Sequence, residues 1–196
     1  MDVGMKSYLN AVGQTLQNPE AAARSIMQQR FSRTVLLQAT LVVVIINAVL
    51  LALLWTIAPP PAEMPLANIS PLQFTALNCI GMVVLASALA RAGQLFGGTG
   101  NFDQALMLLI WLQAVGLMLD VAQIVLLLVS PLVAALFSLA AIFVLLRCFV
   151  IFIKVLHKFD GLGRALLTVV IALIGTMFIA GILLAILGFG PAGDAI

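Results

Sequence analysis

Several long stretches of the chain have no polar face. A run such as "LLQATLVVVIINAVLLALLW" places apolar residues at every angle around a helix, so it has no side to turn toward water. A helix of about 20 residues, rising about 1.5 Å per residue, crosses a hydrocarbon layer about 30 Å thick and pairs its backbone groups internally. By that measure the pattern predicts five spans, at 34–57, 72–92, 103–129, 132–154 and 164–188. The eight prolines punctuate the same division, since Pro19, Pro59, Pro60, Pro61, Pro65, Pro71, Pro131 and Pro191 all fall outside the spans, where a missing N–H breaks no helical ladder. The predicted fold class is an all-α integral membrane protein: a five-transmembrane-helix bundle (34–188) with a short amphipathic N-terminal cytoplasmic segment (1–33) and an outer-side tail (189–196).

Composition excludes a water-soluble alternative. Of 196 residues, 64% are hydrophobic and 8% charged, with a mean hydropathy of +1.24, against roughly 25% charge in soluble domains. The mixed lead-in and the length of the first apolar run argue against a cleaved signal peptide. Cys79 and Cys148 fall inside spans at different depths, so no disulfide is expected. The methionines form no stripe and read as gap-filling residues.

Basic residues set the orientation. Lys6, Arg24, Arg30 and Arg33 precede the first span, Arg91 closes the second, and Lys154, Lys158 and Arg164 surround the turn before the fifth. Short cytoplasmic loops retain Lys and Arg, which predicts a cytoplasmic N-terminus, an outer C-terminus and a cytoplasmic basic face. In "NPEAAARSIMQQRFSR" Asn18 suits an N-cap, Pro19 the first helical position and Glu20 the positive end of the dipole. That helix is expected to lie at the interface, with Ala22, Ile26 and the Phe31 region toward the bilayer and Arg24, Arg30 and Arg33 toward anionic headgroups. "MKSYLNAVGQTL" predicts a second amphipathic helix before it.

The glycine-rich "GGTGNFDQ" is not a nucleotide cradle. Gly98 and Gly100 are followed by Asp103 where a dinucleotide fingerprint needs its third glycine, and the Gly-Lys-Ser/Thr of a Walker loop is missing. It reads instead as a tight cytoplasmic turn with Asn101 or Asp103 capping the third span.

Three segments together carry a family resemblance: the lead-in "NPEAA", "GGTGNFDQALMLLIWL" opening the third span, and "LHKFDGLGRALLTVVIA" opening the fifth. They resemble the Yip family, the Ypt/Rab-interacting membrane proteins. The resemblance implies five spans with a cytoplasmic N-terminus, and for eukaryotic members a role in vesicle traffic with Rab GTPases. This chain departs there. Its segment of about 33 residues before the membrane is shorter than the cytosolic region those members carry, and the compact form resembles the bacterial branch, which puts Rab GTPase binding in doubt.

Enzymatic chemistry lacks its parts. An intramembrane aspartyl protease needs two carboxylates at one depth, and only Asp120 lies deep in a span; the sole histidine, His157, sits at the cytoplasmic edge, away from any membrane serine. "DGLGRALLTVVIALIG" has the Asp-Gly and Arg of alcohol phosphatidyltransferases without the two later metal-holding aspartates. No catalytic residue, metal or cofactor is expected.

The intramembrane polar residues are more informative. Counted from the outer turns, Asn47, Asn78 and Asp120 lie at similar depth, and Thr40, Ser87, Gln113 and Arg147 form a second layer, roughly 10 Å further in at about 1.5 Å per residue. The Arg147 side chain either tilts toward Asp120 or, on the face it shares with Lys154, reaches the cytoplasmic interface. A charge left in lipid costs roughly 2.5–3.5 kcal/mol on insertion scales, so a buried polar core of Asn47, Asn78, Gln113, Asp120 and Arg147 joining spans one to four is expected. Small residues at Ala134, Ser138 and Ala141 and at Gly181, Ala185 and Gly188 are expected to mediate close helix packing.

Two function classes remain. One is a non-enzymatic adaptor or organiser in a bacterial inner membrane, binding membrane lipids and another membrane protein or a second copy of itself. The alternative is a small transporter, channel or accessory permease subunit using the Asp120/Arg147 polar core. Neither involves nucleic acid.

Overall fold

A computed structural model describes residues 4–60 and 70–186. Among them are seven helices: α1 (Met5–Gln17), α2 (Pro19–Met27), α3 (Arg33–Ile57), α4 (Pro71–Leu95), α5 (Phe102–Val129), α6 (Pro131–His157) and α7 (Leu162–Ile186). The last five are long and apolar enough to cross a membrane. Their bounds match the hydropathy pattern closely; α4 and α6 each run three residues past the predicted ends, to Leu95 and His157. The predicted tail at 189–196 lies outside the described residues.

Polar residues at the ends start and stop these helices. Ser32 accepts from the Val35 amide, Ser130 from Val133, and Ser70 and Asn101 form capping boxes with Gln73 and Gln104, each satisfying amides that the first turn leaves open. Asn101 is therefore the cap of α5, which frees Asp103 for another partner. The α6 helix closes on Lys158 in the left-handed region, φ 55°, with the Phe159 amide donating to the Lys154 carbonyl at 3.0 Å.

The spans pack as consecutive antiparallel neighbours. α5 lies against α3, α4 and α6, while α7 closes the bundle against α4 and α6. The best-buried layer lies toward the basic end, with Leu89 from α4, Leu106 and Leu108 from α5, Phe152 and Ile153 from α6, and Ala165 and Val169 from α7. Lipid-facing positions stay apolar: Leu132, Phe143, Met177 and Phe178 are all exposed, as expected where the solvent is hydrocarbon.

The two N-terminal helices do more than rest on a membrane surface. Both form, and Asn18 caps α2 by accepting from the Ala21 amide at 3.1 Å. However, α1 and α2 dock onto α5 and α6, with Val12, Thr15, Pro19 and Ala23 buried. An amphipathic helix gains as much from an apolar protein surface as from lipid, and here polar groups on the bundle fix the choice.

Candidate functional site

The docking of α1 is specified by hydrogen bonds to residues inside the spans. The Tyr8 hydroxyl donates to the Ala114 carbonyl, and Trp111 Nε1 donates to Thr15 Oγ1 at 3.0 Å. Tyr8 and Trp111 also meet edge to face, with centroids 6.3 Å apart. Burial raises the Tyr8 pKa above its usual value, which keeps the phenol protonated as a donor. Arg147 Nη1 lies 3.4 Å from the Leu16 carbonyl, so the arginine reaches to the C-terminal turn of α1 and not to Asp120. One turn on, Glu20 joins α2 to its own Arg24 at 2.6 Å and to Lys154 of α6 at 3.5 Å. The Arg24 hydrogen bond, then the Lys154 charge, holds the Glu20 carboxyl below the usual carboxylate range.

Together α1 and α2 make a platform that leans on α5 and α6 and leaves a cleft of about 780 Å³ toward α3. Ala22, Ser25 and Ile26 of α2 form one wall, Val35, Leu36 and Ala39 of α3 the other, and Met107, Ile110 and Trp111 of α5 the floor. Neutral polar groups, Gln14, Asn18 and Gln29, rim the platform side. Among the described residues no charged side chain lines it.

At the same end the glycine-rich turn holds His157. The Gly100 amide donates to Nδ1 at 3.2 Å, which makes Nε2 the protonated nitrogen that donates to the Leu89 carbonyl, also at 3.2 Å. The ring is 1% exposed and stacks on Phe159 with centroids 5.3 Å apart. Cβ atoms added at Gly93 or Gly98 would fall on the imidazole. "GGTG" thus wraps a side chain of its own bundle, which its sequence spacing gave no means to foresee. Beside it Arg33 pairs with Asp103 at 2.8 Å and lies 5.8 Å from the centroid of Phe102, tying α3 to α5. Arg30, Arg91, Lys158 and Arg164 are exposed at or near this end.

The expected buried polar core does not form: Asp120 and Arg147 are exposed on the bundle surface, and the polar positions inside the spans fall into separate places. Asp120 and Asn47 line one recess of about 150 Å³ between α3 and α5, with Leu50, Leu54 and Gln123. Gln123, which depth counting did not single out, has a buried Oε1 with no hydrogen-bond partner. Thr40 and Ser87 bond within their own helices, to the Leu36 and Val83 carbonyls, while Asn78 and Gln113 are half-buried. In α6 Ala134 is buried and Ser138 and Ala141 half-buried. Gly181 is exposed with open space where a side chain would project, so it mediates no close packing within one chain. Ala185 lies in the last turn of α7, and Gly188 lies outside the described residues. Burial on α7 falls instead at Ala165, Thr168, Val169 and Ala172, where Thr168 is made compatible with a dry interface by donating to the Arg164 carbonyl at 2.8 Å. Among the described residues no three His, Cys, Asp or Glu side chains group as a metal site would require.

Five apolar spans carrying a docked, polar-bonded helix pair at their basic end define an integral membrane protein of the helical-bundle class. The Yip1 domain family model matches residues 13–184. That match covers most of the chain, from α1 to the end of α7, and the chain belongs to this family. Comparison with curated proteins and with solved structures gives no match.

Proposed function

We propose that the chain is a non-enzymatic adaptor or organiser of a bacterial inner membrane, with its N-terminus cytoplasmic, that binds other membrane proteins and lipids through the α1–α2 platform. One observation supports this above the rest: the platform is held on α5 and α6 by hydrogen bonds from Tyr8, Trp111 and Arg147 and leaves a formed cleft beside it. A pre-ordered surface loses little conformational entropy on binding. The basic residues around it agree with a cytoplasmic location. A photo-crosslinking residue at Gln28, an exposed α2 position, is expected to capture a reproducible partner in native membranes, identified by mass spectrometry. A clean blank overturns the adaptor reading. Single-cysteine labelling at Glu63 and Asp160 tests the orientation, which requires the two on opposite sides.

The recess of Asp120, Asn47 and Gln123 favours a second reading as a small transporter, channel or permease subunit, because an unpartnered buried Gln123 Oε1 beside a carboxylate is an arrangement that a cation or water would satisfy. That reading predicts solute or ion flux in liposomes that disappears in Asp120→Asn. Against it, no proline interrupts a described span to expose backbone at mid-depth.

A further inference from the structure

We propose that the cleft between the platform and α3 is a binding site for a single anionic phospholipid, with acyl chain inside and phosphate at Arg30. The site deepens the adaptor reading and rests on it for the leaflet concerned.

Depth is the first argument. Trp111 on the cleft floor is nine residues into α5 from Phe102, which is about 14 Å at about 1.5 Å per residue. One leaflet of the hydrocarbon layer is about 15 Å deep. The cleft therefore reaches down one leaflet. It also opens sideways, because Phe31 and Val35 at its lip are 49% and 44% exposed whereas Leu36 and Thr15 within it are 4% and 1% exposed. Val35 is two residues into α3 from Arg33, so the mouth lies at the headgroup boundary, and a lipid tail entering there runs down toward Trp111 on the floor.

Shape and polarity agree with an acyl chain. The volume of about 780 Å³ lies within the roughly 300–1,000 Å³ of sites for small apolar ligands. The floor and the α3 wall are apolar, and Ala22 and Ile26 make most of the α2 wall apolar beside Ser25, so filling the cleft with water would leave that surface hydrated to no benefit. Ala22, Ile26 and Phe31, the stripe whose spacing predicts contact with the bilayer, are cleft-lining residues. The stripe thus meets lipid in a bounded cleft instead of along an open membrane surface.

Charge selects the headgroup. Gln29 and Phe31 both line the cleft, and Arg30 stands between them, exposed. Nearby carboxylates are taken: Glu20 by Arg24 and Lys154, and Asp103 by Arg33. Among the described residues Arg30 has no acidic partner, and a phosphate-bearing headgroup without a compensating positive charge complements it. Gln29 and Asn18 at the rim supply neutral donors to the glycerol and ester oxygens.

Trp111 on the floor makes the test direct. The full chain, with Trp55→Phe so that Trp111 alone emits, is reconstituted in phosphatidylcholine vesicles and titrated with phosphatidylglycerol or phosphatidylcholine brominated on the acyl chains. We expect saturable quenching by brominated phosphatidylglycerol, at least fivefold tighter than by brominated phosphatidylcholine. Arg30→Gln should erase that preference, and Ala22→Phe should cut the quenching by half or more. Equal quenching by the two lipids in the parent protein overturns the proposal, as does unchanged quenching in a folded Ala22→Phe protein. Should Ala22→Phe fail to fold, a diazirine-bearing phosphatidylglycerol on the unfilled chain decides: adducts at Ile26, Phe31 or Trp111 support the site, and adducts confined to the outer faces of α6 and α7, or protein seated in the cleft, overturn it. Failure here leaves the Gln28 crosslinking result untouched, so the adaptor reading stands or falls separately.

Discussion

The Gly100 amide donates to His157 Nδ1 at 3.2 Å, and the ring it holds occupies the space where Gly93 and Gly98 would carry side chains. The glycines and the histidine form one packed unit joining α4, the turn and α6. Gly93→Ala is therefore expected to lower stability by about 1–3 kcal/mol, the usual range for overpacking a filled site. His157→Ala leaves the Gly100 amide without its partner and costs about 1–3 kcal/mol for the buried donor. Combined, the two changes should be less harmful than their sum, because removing the ring makes room for the new methyl. Gly116→Ala, with nothing within 4 Å of an added Cβ, is the control. Apparent Tm in detergent checks all four proteins, and strict additivity would contradict the packing relationship.

The spans were legible because lipid imposes one rule on the whole segment: no polar face and no proline. That rule placed most helix ends within about two residues, and end-capping chemistry placed Asn18 and Asn101. Partners distant in the chain were not legible. Nothing in "GGTG" indicates that a histidine more than fifty residues later fills it, and nothing in α1 separates a lipid surface from an apolar protein surface. Depth counting brought Asn47 and Asp120 to one recess but could not find Gln123, since height along a helix says nothing about the direction a side chain faces.

Platform docking should weaken at acid pH. The Glu20 pKa is lowered in the folded protein by the Arg24 hydrogen bond and the Lys154 charge, so its contribution is present above the unfolded carboxylate pKa of about 4.3. It is lost as pH falls through the depressed folded value. Hydrogen exchange of the α2 amides at a series of pH values should show faster opening in that acid range, and Glu20→Gln should open α2 at neutral pH and remove the dependence. Because the group is exposed, high salt is expected to shrink the effect.

The end of α6 offers a stabilising change. Lys158 adopts φ 55°, a conformation in which a side chain costs roughly 1–2 kcal/mol and glycine little. Its side chain is exposed and forms no ion pair among the described residues that a substitution would remove. Lys158→Gly should therefore stabilise the fold by about 1 kcal/mol or less after the greater freedom of glycine in the unfolded chain is offset, seen as a higher apparent Tm. A lowered Tm would mean that the ammonium group matters more than the backbone strain.

Arg147 and Asp120 are expected to act independently. Arg147 reaches the Leu16 carbonyl of α1, whereas Asp120 lines the recess with Asn47 and Gln123, and no ion pair joins the two among the described residues. Arg147→Gln should loosen α1, seen as faster exchange of its amides and greater solvent access to Trp111, and leave the α3–α5 contact intact. Asp120→Asn removes a charge that lipid disfavours and keeps a polar group of the same size in the recess, so it should leave α1 protection unchanged. In the double variant the stability changes should add to within about 0.5 kcal/mol, as for sites without a shared partner. A coupling above 1 kcal/mol would instead place both charges in one network and revive the expectation that the arginine tilts across the membrane toward the aspartate.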